Sequence, residues 1–262
     1  MISEEPNNLE KQGIRERAAF NTGDVLMENI RLKQKYVNVF ECPNAIRCEN
    51  YFGKYIEEKS NNAVVLDCGC YRGKLTAKII GYGARTSVGI DISDKSVALA
   101  NRYVNGESSQ QKALFCAGDM HHACFRNDVF DLIVGRAILH HLNFENAVAE
   151  IHRILKPGGS AVFFEALGDN LLAKLFRRLT PKARTPDEKP LSRREIVTVD
   201  KMFTQNAHRF FSLFSVPAGM ITSIIKLPPE NILTVTADRI DMMFARTRFK
   251  YWMRVGVLIW KK

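Results

Sequence analysis

Three carboxylates and two histidines, each placed just after a short apolar run, are the residues of this 262-residue chain whose types and spacing could do chemistry. The first acid, Asp67, follows Val64-Val65-Leu66 and precedes Cys68-Gly69-Cys70-Tyr71-Arg72-Gly73. A β-favouring run, a glycine turn and a helix-like stretch from Lys74 to Ile80 follow one another here. Glycine lacks the Cβ that would hold a ligand away from the backbone, so the loop Gly69, Cys70, Gly73 can be approached closely, and the helix after it offers unpaired N–H groups. At that place Asp67 would repel a pyrophosphate and welcome a ligand carrying an ammonium and a sulfonium. The second acid, Asp91, ends the run Thr86-Ser87-Val88-Gly89-Ile90, 22 positions after Gly69. In a strand-helix-strand crossover that spacing sets a carboxylate beside a ribose, able to accept from both hydroxyls. Capping the next helix is the plainer use of Asp91, but Ser93 is the better N-cap. The third acid, Asp119, follows the run Gln111 to Ala117 and Gly118. His140 and His141 stand in the loop after Val129 to Gly135. An imidazole titrates near neutrality and could take a proton from a nucleophile, or both rings could simply pack at the start of the next helix. His121, His122 and Cys124 have no second ligand pair at a zinc spacing, so no metal is expected.

These residues must be carried by alternating strands and helices. Residues 63–67, Thr86 to Asp91, Gln111 to Ala117, Val129 to Gly135 and Ser160 to Glu165 read as five strands, with helices over 73–81 and from about Glu145 to Lys156. Pro157-Gly158-Gly159 ends the second of these helices. Ahead of them, residues 1–12 read as a frayed tail, and Glu16 to Phe40 and Ala45 to Lys59 as amphipathic helices. After them come a helical turn over Thr198 to Gln205, a sixth strand over Arg209 to Val216, and a helical stretch from Ala218 to Arg248 broken by Pro228 and Pro229. The β-prone Tyr251 to Trp260 closes the chain. Ligands bind at the carboxyl ends of strands in such open sheets, which is where all five chemical residues fall.

Asp-x-Gly-x-x-x-Gly after an apolar strand resembles motif I of the class I S-adenosylmethionine-dependent methyltransferases, with Tyr71 in place of the usual middle glycine. Arg153-Ile154-Leu155-Lys156-Pro157-Gly158-Gly159 and Leu139-His140-His141-Leu142 are similar to segments of the same class. The resemblance implies S-adenosylmethionine as cofactor. It implies Ile92 against the adenine, Asp119 accepting from the adenine amine, the Met120 N–H on a ring nitrogen, and Arg136 beside the methionine portion. It also implies that the last strand inserts antiparallel between the fifth and sixth. Glu165-Ala166-Leu167-Gly168-Asp169-Asn170 and Asp187-Glu188-Lys189-Pro190-Leu191 look like a bacterial small-molecule methyltransferase subgroup that usually reads Glu-Pro-Leu-Gly-His-Asn and Asp-Glu-His-Pro-Leu. Ala166, Asp169 and Lys189 depart from it, which implies a different or a weakened acceptor.

Apolar content of 46% and charge content of 25% are those of an ordinary globule able to bury a large core. The first residues carry no secretory pattern, and the longest uncharged run, Phe210 to Ile225, is broken by Pro217 and Gly219. A cytoplasmic protein, at most peripheral to the membrane, with six free thiols is expected. The net charge of +10 is uneven: residues 1–170 hold 20 Lys/Arg against 21 Asp/Glu, and residues 171–262 hold 18 against 7. Residues 171–194 combine Leu171, Leu172, Leu175, Phe176 and Leu179 with Lys174, Arg177, Arg178, Lys182, Arg184, Lys189, Arg193 and Arg194. That is an amphipathic helix packed on the domain, or a lid over an amphiphilic or phosphate-bearing acceptor that also makes weak contact with an anionic membrane. Nucleic acid is not expected as a partner.

The resulting expectation is an α/β, Rossmann-like, seven-stranded and mostly parallel sheet with helices on both faces, the last strand antiparallel, and a helical lid insertion. Residues 1–61 would form a helical cover, 62–167 the S-adenosylmethionine-binding core, and 168–262 an acceptor lid interleaved with the last two strands. The activity expected is methyl transfer from S-adenosylmethionine to an oxygen or nitrogen of a small molecule, with His140 or His141 as base. The alternative is a cofactor-binding subunit without turnover, for which Tyr71 is the best argument.

Overall fold

The computed structural model describes residues 8–104, 113–185 and 187–262. The N-terminal part is helical: α1 (Asn8–Thr22), α2 (Asp24–Lys35), α3 (Val37–Glu41) and α4 (Pro43–Ser60). Where the periodicity predicts one helix over Glu16 to Phe40 there are three, because Gly23 turns the chain at φ 79° and Tyr36 leaves helical geometry at φ −120°. The expected frayed tail falls partly outside the described residues, and from Asn8 onward it is the first turn of α1.

The centre alternates β1 (Val64–Cys68), α5 (Lys74–Gly81), β2 (Thr86–Asp91), α6 (Asp94–Val104), β3 (Leu114–Ala117), β4 (Phe130–Arg136), α7 (Phe144–Ile154) and β5 (Leu155–Ala166). The start of the third strand, Gln111 and Lys112, lies outside the described residues. α6 is capped by Ser93, whose Oγ accepts from the Ser96 N–H at 3.1 Å, which leaves Asp91 for other work. β5 begins earlier than Ser160: Leu155 already pairs with Phe130, and the register slips across Pro157 before Ser160 meets Leu132.

The C-terminal part holds α8 (Leu171–Leu179), α9 (Arg193–Asp200), β6 (Gln205–Asn206), β7 (Arg209–Phe211), α10 (Ser215–Ile224), α11 (Ile232–Phe244) and β8 (Val255–Lys261). Two expectations are corrected here. The helical turn placed over Thr198 to Gln205 lies at α9 instead, where Ser192 and Glu195 form a reciprocal capping box. The sixth strand is shorter than Arg209 to Val216, because Asp241 of α11 accepts from the N–H groups of Leu213, Phe214 and Ser215 and so starts α10. That strand is also in two pieces: at the break, His208 Nδ1 accepts the Ile259 N–H, where a strand would offer a carbonyl.

The sheet runs β3-β2-β1-β4-β5-β8-β6, with β7 also on β8, so the count among the described residues is eight where the patterning predicts seven. The first five strands in that order are parallel, and β8 is antiparallel between β5 and the β6/β7 pair. Both faces are covered. Val65, Val134 and Val162 pack with Phe52 and Ile56 of α4 on one face, while Leu66, Ile133 and Phe163 pack with Ile151 of α7 and Ile196 of α9 on the other. Period-two strands buried on both sides need apolar residues at every position, and β8 accordingly has none exposed from Val255 to Trp260. No helix among the described residues is long and apolar enough to cross a membrane.

Candidate active site

The loop after β1 turns through three left-handed residues, Gly69 at φ 69°, Tyr71 at φ 47° and Gly73 at φ 72°. A Cβ on Gly69 would come within 2.9 Å of Ile138. Tyr71 therefore adopts the backbone that a glycine would adopt, and its N–H donates to Asp91 Oδ2 at 2.9 Å. Tyr71 thus completes the turn and buttresses Asp91, which weakens the argument for a subunit that has lost its site.

Asp91 Oδ1 takes the Ser93 N–H at 2.9 Å, so each oxygen of this carboxylate has one backbone donor and a lone pair to spare. Burial raises its pKa above the ordinary value despite those donors. Asp119 differs. Its Oδ1 takes both the His121 N–H and the His121 ring at 2.7 Å, and Oδ2 stays open. Burial would raise the Asp119 pKa, but the His121 bonds outweigh it and the result is lowered. His121 Nε2 in turn accepts the Asn143 N–H, which leaves Nδ1 to donate to Asp119. Helix α1 roofs this end: a Cβ on Gly13 would stand 3.2 Å from Ile92 and 3.3 Å from Asp119 Oδ2, and Arg17 Nε donates to the Ile92 carbonyl.

A cavity of about 1000 Å³ runs from these acids along the carboxyl edge of the sheet. Gly69, Asp91, Ile92, Asp119, Met120, Arg136, His140 and His141 all line it. Asp67, Cys70 and Gly73 do not. Asp67 is 2% exposed and accepts from Thr76 Oγ1 on α5 at 2.6 Å, Cys70 is a buried thiol, and Gly73 is tucked against Phe115. Arg136 pairs with Glu49 and lies 4.5 Å from the Phe164 ring.

At the far side of Arg136 the two histidines lie with ring centroids 4.4 Å apart. His140 Nδ1 meets Glu165 Oε2 at 2.6 Å, and Glu165 Oε1 takes the N–H groups of Ile138 and Leu139. A carboxylate only accepts, so Nδ1 carries the proton and Nε2 is the atom left for a substrate. His141 Nδ1 lies 3.2 Å from both Thr185 Oγ1 and Glu16 Oε2, and the Thr185 hydroxyl donates to Glu16. Ligand atoms of His140, His141 and Glu188 come within 4.8 Å of one another, but Arg177 already holds Glu188 Oε1 at 2.8 Å. Of these partners, sequence patterning leaves Glu16, Thr185 and the role of Glu165 unread; an acid ending a buried strand was the one signal for the last.

Residues 66–163 match the family model described as a methyltransferase domain. Over these residues the chain resembles a methyltransferase domain. It is 32% identical over 96 residues to the sterol 24-C-methyltransferase of Schizosaccharomyces pombe, covering 36% of this chain and 25% of that protein. It is 36% identical over 113 residues to a ubiquinone biosynthesis O-methyltransferase of Azoarcus, covering 43% of this chain and 47% of that one. The matches thus span less than half the length of these curated relatives. Among solved structures it is similar to an S-adenosylmethionine-dependent methyltransferase of Methanosarcina mazei, at 20% identity and a TM-score of 0.54, covering 79% of this chain and 96% of that one. The cyclase SpnF is as close in fold, with a TM-score of 0.54 at 16% identity over 81% of this chain and 80% of that chain.

The residues present fit S-adenosylmethionine, the cofactor that the resemblance implies. Asp91 has a lone pair free on each oxygen and could accept from two ribose hydroxyls, and Asp119 Oδ2 is open and could accept from an exocyclic amine. Asp67 sits beneath the loop as an internal strut, and its pKa is pushed up to about 7, first by burial and then by repulsion from Asp91, against the Thr76 hydrogen bond. In the cofactor-free protein this makes a pH prediction. Between the unfolded value near 4 and about 7 the unfolded chain has lost the proton that the native state keeps, so stability falls as pH rises through that window. Asp67→Asn, which can still accept from Thr76, should gain on wild type from pH 4 to 7 and then hold its margin. Urea denaturation at pH 4.5 and 7.5 measures this, and an equal margin at both would contradict it.

Proposed function

We propose that this protein transfers the methyl group of S-adenosylmethionine to an oxygen or nitrogen of a small, largely apolar molecule, with His140 as the proton acceptor. The observation that carries the proposal is the His140–Glu165 pair on the same cavity as the Asp91 and Asp119 carboxylates. The bound cofactor would supply an already activated sulfonium methyl, so the protein's part is alignment, exclusion of water and removal of one proton. Asp91 would take the ribose hydroxyls, Ile92 and Met120 the adenine faces and edge, Asp119 its amine, and the Gly69 backbone with Arg136 the methionine end. Glu165 fixes His140 with Nε2 toward the acceptor, and His141, tied through Thr185 and Glu16 to α1, flanks it.

In this reading residues 1–61 cover the cofactor, 62–167 bind it, and 168–262 form the acceptor side. The exposed Leu171, Leu175 and Leu179 of α8 beside Lys174 and Arg178 would rest against an anionic membrane surface from which an amphiphilic acceptor is drawn. Leu171, Leu175 and Leu179 of α8 are exposed, Leu175 and Leu179 at the cavity rim, and Arg177 and Arg184 turn inward to Glu188, which leaves Lys174, Arg178 and Lys182 of this stretch for such contact.

Asp91→Ala is expected to keep its circular dichroism and lose about 1.5–3 kcal/mol of cofactor affinity, the scale of losing hydrogen bonds to a charged group. Titration calorimetry with S-adenosylhomocysteine measures it; a folded variant of unchanged affinity would remove the cofactor assignment. Incorporation of labelled methyl into pooled metabolites tests turnover itself.

A further inference from the structure

We infer that Arg254 anchors an anionic group, a carboxylate or phosphate, carried by the methyl acceptor; this rests on the methyl-transfer reading above. β8 enters the sheet antiparallel, which brings its N-terminal end to the same edge as the carboxyl ends of β1 to β5. There Val255 pairs with Ala166 and Phe211, and the Arg254 backbone is held by Leu167 N–H and Ser212 C=O. Its side chain lines the cavity, with the guanidinium 5.0 Å from the Phe40 ring centroid.

Among the described residues no carboxylate pairs with this guanidinium and no acceptor takes its N–H groups. Of the other arginines on the cavity, Arg136 has Glu49, Arg177 and Arg184 share Glu188, and Arg72 is exposed to solvent over the Tyr71 ring. Asp241 on α11 spends both oxygens on Leu213, Phe214 and Ser215. Arg254 is half-buried in the cavity wall, and desolvation there lowers its pKa with only the Cys48 and Cys42 thiols acting the other way, so its charge lacks a protein counter-charge. An arriving anion would supply one, and a guanidinium fork suits carboxylate and phosphate alike.

Position separates the acceptor from the cofactor as the source of the anion. Asp91 ends β2, and Arg254 precedes β8, four strands away in the order β2-β1-β4-β5-β8, or about 19 Å at the usual spacing. From Arg136 at the end of β4 it is two strands, roughly 10 Å. The cavity walls beyond β5 are apolar, with Val39 and Phe40 from α3 and Val216 and Met220 from α10. The acceptor class this fits is an amphiphile whose acid group lies roughly 10 Å from the methylated atom.

The test uses the full chain with S-adenosylhomocysteine, decanoate, decyl phosphate, decanol and inorganic phosphate as probes, read by calorimetry. Wild type should bind decanoate or decyl phosphate at least about tenfold more tightly than decanol, and inorganic phosphate more weakly than decyl phosphate. Arg254→Gln and Arg254→Met should lose that preference, keep S-adenosylhomocysteine affinity within about twofold, and keep the wild-type circular dichroism. Arg254→Lys should keep part of the preference. A preference that survives in both neutral variants overturns the inference, as does inorganic phosphate binding as tightly as decyl phosphate. A tenfold loss of S-adenosylhomocysteine affinity in them also overturns it and assigns Arg254 to the cofactor's own carboxylate. Wild type that binds no S-adenosylhomocysteine would instead refute the methyl-transfer reading, whatever the anion result.

Discussion

His140→Ala is expected to lower the methyl-transfer rate at least about 100-fold, the scale of a lost general base, while S-adenosylhomocysteine affinity stays within about twofold of wild type. The pH profile gives the sharper signature. Burial alone would lower the His140 pKa, but the charge and hydrogen bond of Glu165, with Glu188 adding to them, carry it above the ordinary 6.5. The ring must shed a proton before it can accept one, so the wild-type rate should climb as pH rises through that elevated value. In His140→Ala this limb should vanish. The same shift has a stability side: the protonated His140 paired with Glu165 stabilises the fold fully below the unfolded pKa of 6.5, and this contribution is lost as pH rises through the folded one. A variant whose cofactor affinity falls in step with its rate, or whose pH limb is unchanged, would make His140 a packing residue.

The cofactor end of the cavity was largely legible from the chain. Asp91, Asp119 and the glycines sit at strand ends, and strand ends are marked by local patterning: an apolar run, an acid, a turn residue. The crossover rule then brings those ends to one edge, and the structure does place Gly69, Asp91, Ile92, Asp119 and Met120 on one cavity. Asp67 shows where that logic stops. Patterning puts it at the right strand end, but the alternation of side chains along β1 and the hydroxyl of Thr76, nine residues on, turn its carboxylate under the loop.

The acceptor side was much less legible, because its residues meet across long stretches of chain. Glu16 reaches Thr185 across 169 positions, and Gln12 reaches the His141 carbonyl across 129. Charge counting treats Arg177, Arg184 and Arg254 alike, as parts of one basic third. The fold instead gives Glu188 to the first two and leaves Arg254 facing the cavity, a difference set by how β8 inserts. Helix α9 and the split strand at His208 follow the same rule: a capping box and a side chain substituting for a carbonyl decide them, not periodicity.

Glu165 is where local pattern and long-range function coincide, and its variants should separate support from chemistry. The side chain is fully buried and takes three donors, from Ile138, Leu139 and His140. Glu165→Ala strands two backbone N–H groups and a histidine in the core, and should cost about 3–5 kcal/mol of stability, the range for removing one partner of a buried charged pair. Glu165→Gln is the more telling change. Its carbonyl oxygen can still serve the two backbone N–H groups, so most of the fold survives, but its NH₂ must then face His140 Nδ1. A donor at that place forces the imidazole proton onto Nε2, the atom that would otherwise accept from the substrate. The rate should therefore fall on the order of 10²–10⁴-fold, comparably to His140→Ala, with S-adenosylhomocysteine affinity retained. Denaturant titration, calorimetry and single-turnover methyl transfer on the two variants give the comparison. If Glu165→Gln keeps near wild-type turnover while Glu165→Ala merely unfolds, Glu165 is only a loop support, and His140 loses its claim to the proton.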